Sequence, residues 1–164
     1  MFWSKPELMS TKTKIASNFK IVRENISRFS IFMGLSNEQV DRILEILSTK
    51  EYMAEEEITH EGEHGETLYL LLSGKVAVSK SLTLLSGESG MDAKDKSLIQ
   101  LSADQNPYFG EMAILKKDSL RSATVKALQP CTVAVIKRKD LLQVCESDKE
   151  IGYYILRNIA KHLA

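Results

Sequence analysis

"TLYLLLSGKVAV", residues 67–78, is the stretch whose reading decides the fold. An apolar run from Leu68 to Leu72 stops at Gly74, and Val76 and Val78 then resume on alternate positions. That is a strand, a tight turn and a strand. The same habit extends outward through "EEEITHEGEHGE" before it, and "SLIQLS", "SATVKA" and "CTVAVIK" after it. Short apolar runs divided by glycine or polar turns, from residue 49 to about 136, predict a small barrel or jelly roll. Between them "SGESGMDAKDKS", 86–97, is polar and glycine-containing, and predicts a long, mobile hairpin loop.

Helical patterns flank this β region. Ile15, Phe19, Val22, Ile26 and Phe29 recur every three or four residues and predict one apolar stripe on a helix. Residues 1–30 are therefore read as an N-terminal helical arm. Packing on its own domain is favoured over a dimer seam, because two heptads do not establish a coiled coil. Residues 36–48 predict a second helix, with Ser36 as N-cap, Glu38 in the first turn and Val40, Ile43, Leu44 and Leu47 inward. Residues 138–163 predict two more segments. The first carries Leu141, Leu142 and Val144, and the second carries Ile151, Tyr154, Ile155, Ile159 and Leu163. The expected chain is α+β and mainly β, with one ligand-binding domain over 31–164.

Composition narrows the partners. The chain has 164 residues, 43% of them hydrophobic, enough to bury a core without disulfide or metal staples. Acidic and basic residues number 22 each, so neither a nucleic-acid partner nor an anionic membrane surface is expected. No apolar run approaches the roughly 18 residues of a membrane span, and the N-terminus has no signal-peptide pattern. Cys131 and Cys145 form no CxxC or zinc spacing. A reducing, cytoplasmic setting is the expectation.

The chemistry concentrates in "YFGEMAILKKDSLRSATV", residues 108–125. Gly110 permits a bend and close approach of a ligand. Glu111 to Leu115 is long enough for one helical turn, whose free N–H groups favour an anion. Arg121 supplies a planar fork for a phosphate, and the Glu111 carboxylate accepts only, which suits hydroxyl groups. A ligand that uses all three has one phosphate and nearby sugar hydroxyls. A surface Glu–Arg salt bridge beside a turn satisfies the same spacing.

This segment resembles the phosphate-binding cassette of the cyclic nucleotide-binding domain family, the β-roll module of the bacterial catabolite activator protein and of cyclic-AMP-dependent kinase regulatory subunits. Phe109, Gly110, Glu111, Ala113, Arg121, Ala123 and Val125 match its Phe-Gly-Glu and Arg-x-Ala-x-Val pattern. "FMGLSNEQVDRIL" resembles the helix that leads into the family's roll, and "ITHEGEHGETLYLLLSGKVAV" its strand core. The resemblance covers about Phe32 to Lys161. It implies a double-stranded β-helix, or jelly-roll β-roll, flanked by N-terminal helices and a C-terminal helical lid. It also implies a ligand site of Phe109, Gly110, Glu111, Met112, Ala113, Arg121, Ser122 and Ala123.

By that resemblance Arg121 takes the cyclic phosphate and Glu111 the ribose 2′-hydroxyl. The Gly110 and Ala113 N–H groups hold ribose or phosphate, and Ser122 offers a hydroxyl to phosphate or base. Met112 lines the site. A residue of the final helix caps the base, with Tyr154 and Leu156 as candidates. cAMP is favoured over cGMP. The chain departs from the pattern at Glu55, where the family usually has glycine, and at Asn106, where a glycine often precedes Phe-Gly-Glu. The hairpin from Ser81 to Lys96 is longer than usual.

The expectation is a freestanding, non-enzymatic regulatory module that acts through a protein effector or a homodimer partner on its helices, since no effector segment follows Ala164. An interaction domain with an idle pocket is the alternative. A cupin-like metalloenzyme built on His60 and His64 is more remote, because a third ligand is missing from the strands. No metal or cofactor is expected.

Overall fold

The computed structural model describes residues 20–82 and 95–164. Eight strands form two four-stranded antiparallel sheets. The first runs in the order β1 (Leu47–Tyr52), β8 (Cys131–Lys137), β3 (Thr67–Ser73), β6 (Tyr108–Phe109). The second runs β2 (Glu57–Thr59), β7 (Thr124–Ala127), β4 (Lys75–Leu82), β5 (Asp95–Ser102). This is the β-roll that the alternation implies. Gly74 makes the β3–β4 turn at φ +94°. A side chain there would lie 2.6 Å from the Pro130 carbonyl oxygen.

Two cores follow from the period of two along each strand. Leu68, Leu70, Tyr108, Ala134 and Ile136 face the helices. Leu71, Val76, Phe109, Val125 and Val133 face between the sheets. β8 is therefore buried on both sides, which is why "CTVAVIK" reads as a continuous apolar run.

The helices are α1 (Arg23–Ser27), α2 (Asn37–Leu44), α3 (Met112–Leu115), α4 (Arg138–Ser147) and α5 (Lys149–Leu163), with a 3-10 turn at Ser30–Phe32. Ile15, Phe19 and the hairpin tip at 83–94 lie outside the described residues. Of the N-terminal stripe, Ile26 and Phe29 are in the core, whereas Val22 is exposed. Ser36 caps α2, accepting from the Gln39 N–H at 3.2 Å. That helix ends at Leu44, earlier than the periodicity predicts, and Leu47 opens β1 instead. Leu47 pairs with Ile136, so a ladder to β8 outweighs one more helical turn.

The C-terminal helices are tied to the rest by polar contacts. Asp148 caps α5, accepting from the Glu150 and Ile151 N–H groups at 3.0 and 3.3 Å. Burial works against its ionisation. The Gln39 amide, the two N–H groups and the Arg42 charge prevail and hold the carboxyl below its ordinary range. Deeper in, the Asn158 amide donates to the Ile31 and Met33 carbonyls at 3.0 and 2.9 Å.

Both departures from the family's glycine pattern take the left-handed conformation, Asn106 at φ +50° and Glu55 at φ +73°. Asparagine tolerates this region, but glutamate adopts it at a cost of roughly 1–2 kcal/mol. The Glu55 carboxylate meets Lys126 at 3.0 Å on the surface, where such pairs contribute little. Glu55→Gly is accordingly expected to raise unfolding stability by about 0.5–1 kcal/mol in urea denaturation, after the entropy cost of glycine is subtracted. Unchanged or lower stability would contradict that reading.

Candidate functional site

One cavity of about 210 Å³ opens between segment 108–125 and the inner face of the second sheet. Phe109, Gly110, Glu111, Met112, Ala113, Arg121, Ser122 and Ala123 all line it. The structure thus brings these eight residues together, from both ends of the segment.

Local structure explains how. β6 is only two residues long, paired with β3 through Tyr69 opposite Phe109 and Leu70 opposite Tyr108. Gly110 then turns the chain at φ +87°. A Cβ at Gly110 would lie 2.6 Å from the Thr67 carbonyl oxygen and 2.7 Å from Arg121 Nη1, so only glycine fits. α3 follows directly, with Glu111 in helical conformation at its start. The Ala113 N–H donates to the Gly110 carbonyl at 3.1 Å.

The far end of the segment is held by the turn before β3. The Arg121 N–H donates to the Glu63 carbonyl at 2.7 Å, and the Gly62 N–H returns a bond to the Arg121 carbonyl at 2.9 Å. The Arg121 guanidinium lies across Gly65, where a Cβ would sit 2.0 Å from Nε. Its Nη1 donates to the Thr67 carbonyl at 2.9 Å, and its central carbon stands 5.5 Å from the Tyr69 ring, which stacks on Phe109. Gly65 and Gly110 together make the bed in which the arginine rests.

The surface-pair alternative does not hold. Among the described residues the ion pairs are Arg23–Asp41, Arg42–Asp148, His60–Glu57 and Lys126–Glu55, and neither Glu111 nor Arg121 takes part. Both charges face the cavity without neutralising each other.

The final helix reaches the cavity at a different residue from those expected. Tyr154 packs on Gly34 and under Arg157, and Leu156 is 51% exposed; neither lines the cavity. His162 does, two turns further on, with its ring 4.5 Å from that of Tyr108. The signal was available: Ile151, Ile155, Ile159 and His162 share one helix face. Burial pushes the Tyr108 hydroxyl up to about 12, so it is a neutral platform for the imidazole. Thr59, Val78, Leu101 and Val125 complete the wall from the strands.

Metal-type chemistry finds no ligand set. Among the described residues no group of three His, Cys, Asp or Glu side chains converges. His60 Nδ1 lies 2.9 Å from the Glu57 carboxylate on the surface, and His64 makes an isolated bridge with Leu120. Cys131 is buried, with its single S–H shared between the Lys75 and Gln129 carbonyls; burial pushes its pKa up, away from a thiolate.

Residues 49–148, more than half of the chain, match the model of the cyclic nucleotide-binding domain. The chain belongs to that family. Its cyclic nucleotide-binding domain is 33% identical over 112 residues to the cAMP-activated global transcriptional regulator CRP of Pasteurella multocida. The match covers 68% of this chain and 49% of that protein. A cGMP-dependent protein kinase of Eimeria tenella is 33% identical over 145 residues, covering 87% of this chain and 12% of the kinase. The chain thus spans about half the length of the curated regulator, and far less of the kinase. In fold it is similar to a cyclic nucleotide-binding domain from Methylobacillus flagellatus, with a TM-score of 0.69, 24% identity and coverage of 87% and 74% of the two chains.

Proposed function

We propose that this chain is a cyclic nucleotide sensor with cAMP as its preferred ligand. The observation that carries the reading is the Arg121 guanidinium, in no ion pair among the described residues, bedded on two glycines and facing the same cavity as Glu111. A fixed fork suits a cyclic phosphate, and an acceptor-only carboxylate suits a ribose hydroxyl. Ser122 and Met112 add a hydroxyl and an apolar edge to the same wall. His162, seated on Tyr108, is the α5 residue in reach of the base.

Binding would hold α5 with His162 against Tyr108 and so shift a two-state equilibrium toward that arrangement, because ligand contacts with His162 exist only when α5 lies there. The output passes through a protein effector or a second copy at the helices, in the cytoplasm, with no chemical reaction catalysed. The cAMP-activated relative supports the choice of cAMP, whereas the cGMP-dependent relative makes cGMP the competitor to test. Since the first is a transcriptional regulator, the expectation of no nucleic-acid partner gains no support from it. No described helix is long and apolar enough to cross a membrane.

Thermal shift with cAMP, cGMP and 5′-AMP tests the ligand choice. The expected order is the largest shift with cAMP, a smaller one with cGMP and none with 5′-AMP, since at equal concentration a ligand that binds the native state alone stabilises it more the tighter it binds. A larger shift with cGMP would reverse the preference.

A further inference from the structure

We propose that the groove between the Ser30–Phe32 turn and the last two turns of α5 binds a small phosphate monoester, beside the nucleotide cavity and sharing only His162 with it. The groove has a volume of about 250 Å³ and is lined by Ser30, Met33, Arg157, Asn158, Lys161 and His162. Three of these six side chains are basic and none is acidic. Arg157 and Lys161 stand four residues apart, as do Asn158 and His162, so the pairs form neighbouring rows on one helix face.

The arginine is held in place. Its guanidinium carbon lies 4.8 Å from the Tyr154 ring centroid and 5.7 Å from that of Tyr153. Its Nη2 donates to the Asn158 side-chain oxygen Oδ1 at 3.3 Å. Its Nε is buried and meets no acceptor among the described residues. Neither Arg157 nor Lys161 belongs to an ion pair among the described residues. Asn158 spends its amide hydrogens on the Ile31 and Met33 carbonyls, so it shapes the wall without binding.

Basic residues in the last turn also offset the helix dipole. That accounts for Lys161 and His162. It does not account for Arg157 a turn earlier, or for Ser30, which lines the same groove from another element. A guanidinium, an ammonium and an imidazole around one void match a doubly charged oxyanion. Exposed Met33 offers an apolar wall to an organic stem, which favours a monoester over the bare ion.

Amide chemical-shift titration of the full chain with glycerol 3-phosphate tests this, at ionic strength held constant with chloride. Saturable shifts are expected at Ser30–Met33 and Arg157–His162 in the wild type, and equally in Arg121→Ala, which disables the nucleotide cavity. Lys161→Glu, at an exposed position, is expected to weaken binding at least tenfold while its spectrum stays folded. Shifts no larger than those with chloride alone would overturn the proposal. So would shifts lost in Arg121→Ala and kept in Lys161→Glu, which would place the anion in the nucleotide cavity. Capture by phosphatidylcholine vesicles doped with phosphatidate, without binding of the soluble ester, would also overturn it.

Discussion

Arg121→Ala is expected to lower cyclic nucleotide affinity at least tenfold while the protein stays folded. Each charge-assisted hydrogen bond to a phosphate oxygen is worth about 1.5–3 kcal/mol, and a factor of ten needs about 1.4 kcal/mol. Among the described residues Arg121 makes one side-chain hydrogen bond, to the Thr67 carbonyl, so the structural loss is about 1 kcal/mol. Arg121→Lys keeps the charge and loses the fork, and should fall between the two. Titration calorimetry measures the affinities and circular dichroism the fold. A folded Arg121→Ala protein that binds as tightly as the wild type would remove Arg121 from the site.

Asn158→Leu is expected to cost about 2–4 kcal/mol of stability, because it strands the buried Ile31 carbonyl and the Met33 carbonyl together. Asn158→Asp, which keeps the shape but loses the amide donors, should do at least equal harm, since it also places a carboxylate at a position only 6% exposed. Urea denaturation distinguishes this from a packing effect. If Leu destabilises by less than about 1 kcal/mol, the tie between α5 and the 3-10 turn is not what holds the helix down. Because α5 carries His162 to the cavity, the same variants should also weaken nucleotide binding.

Much of this was legible in the sequence, for identifiable reasons. β3, β4, β7 and β8 announce themselves because each is bounded by glycine, proline or polar turns and filled with β-branched or leucine residues. β1 was hidden because Leu44, Ile46 and Leu47 continue a helical rhythm, and only pairing with β8 overrides it. β6 was too short to carry any period. The site residues were legible as a pattern, since Gly110, Glu111 and Arg121 each have one chemical use. The bed beneath the arginine was not. Gly65 and Thr67 lie 54 or more residues upstream of it in the chain and reveal their role only once folded. His162 lay on the inward face of α5 but past the stretch where a cap was sought.

The central claim is that the cavity holding Glu111 and Arg121 binds a cyclic nucleotide. Calorimetric titration of the purified protein with cAMP tests it most directly, with 5′-AMP as the control that keeps the base and ribose but opens the phosphate ring. Saturable, one-to-one binding of cAMP and none of 5′-AMP is the expected result. No heat with cAMP or cGMP, supported by the absence of any thermal shift, would contradict it and leave the fold as an interaction module with an idle pocket.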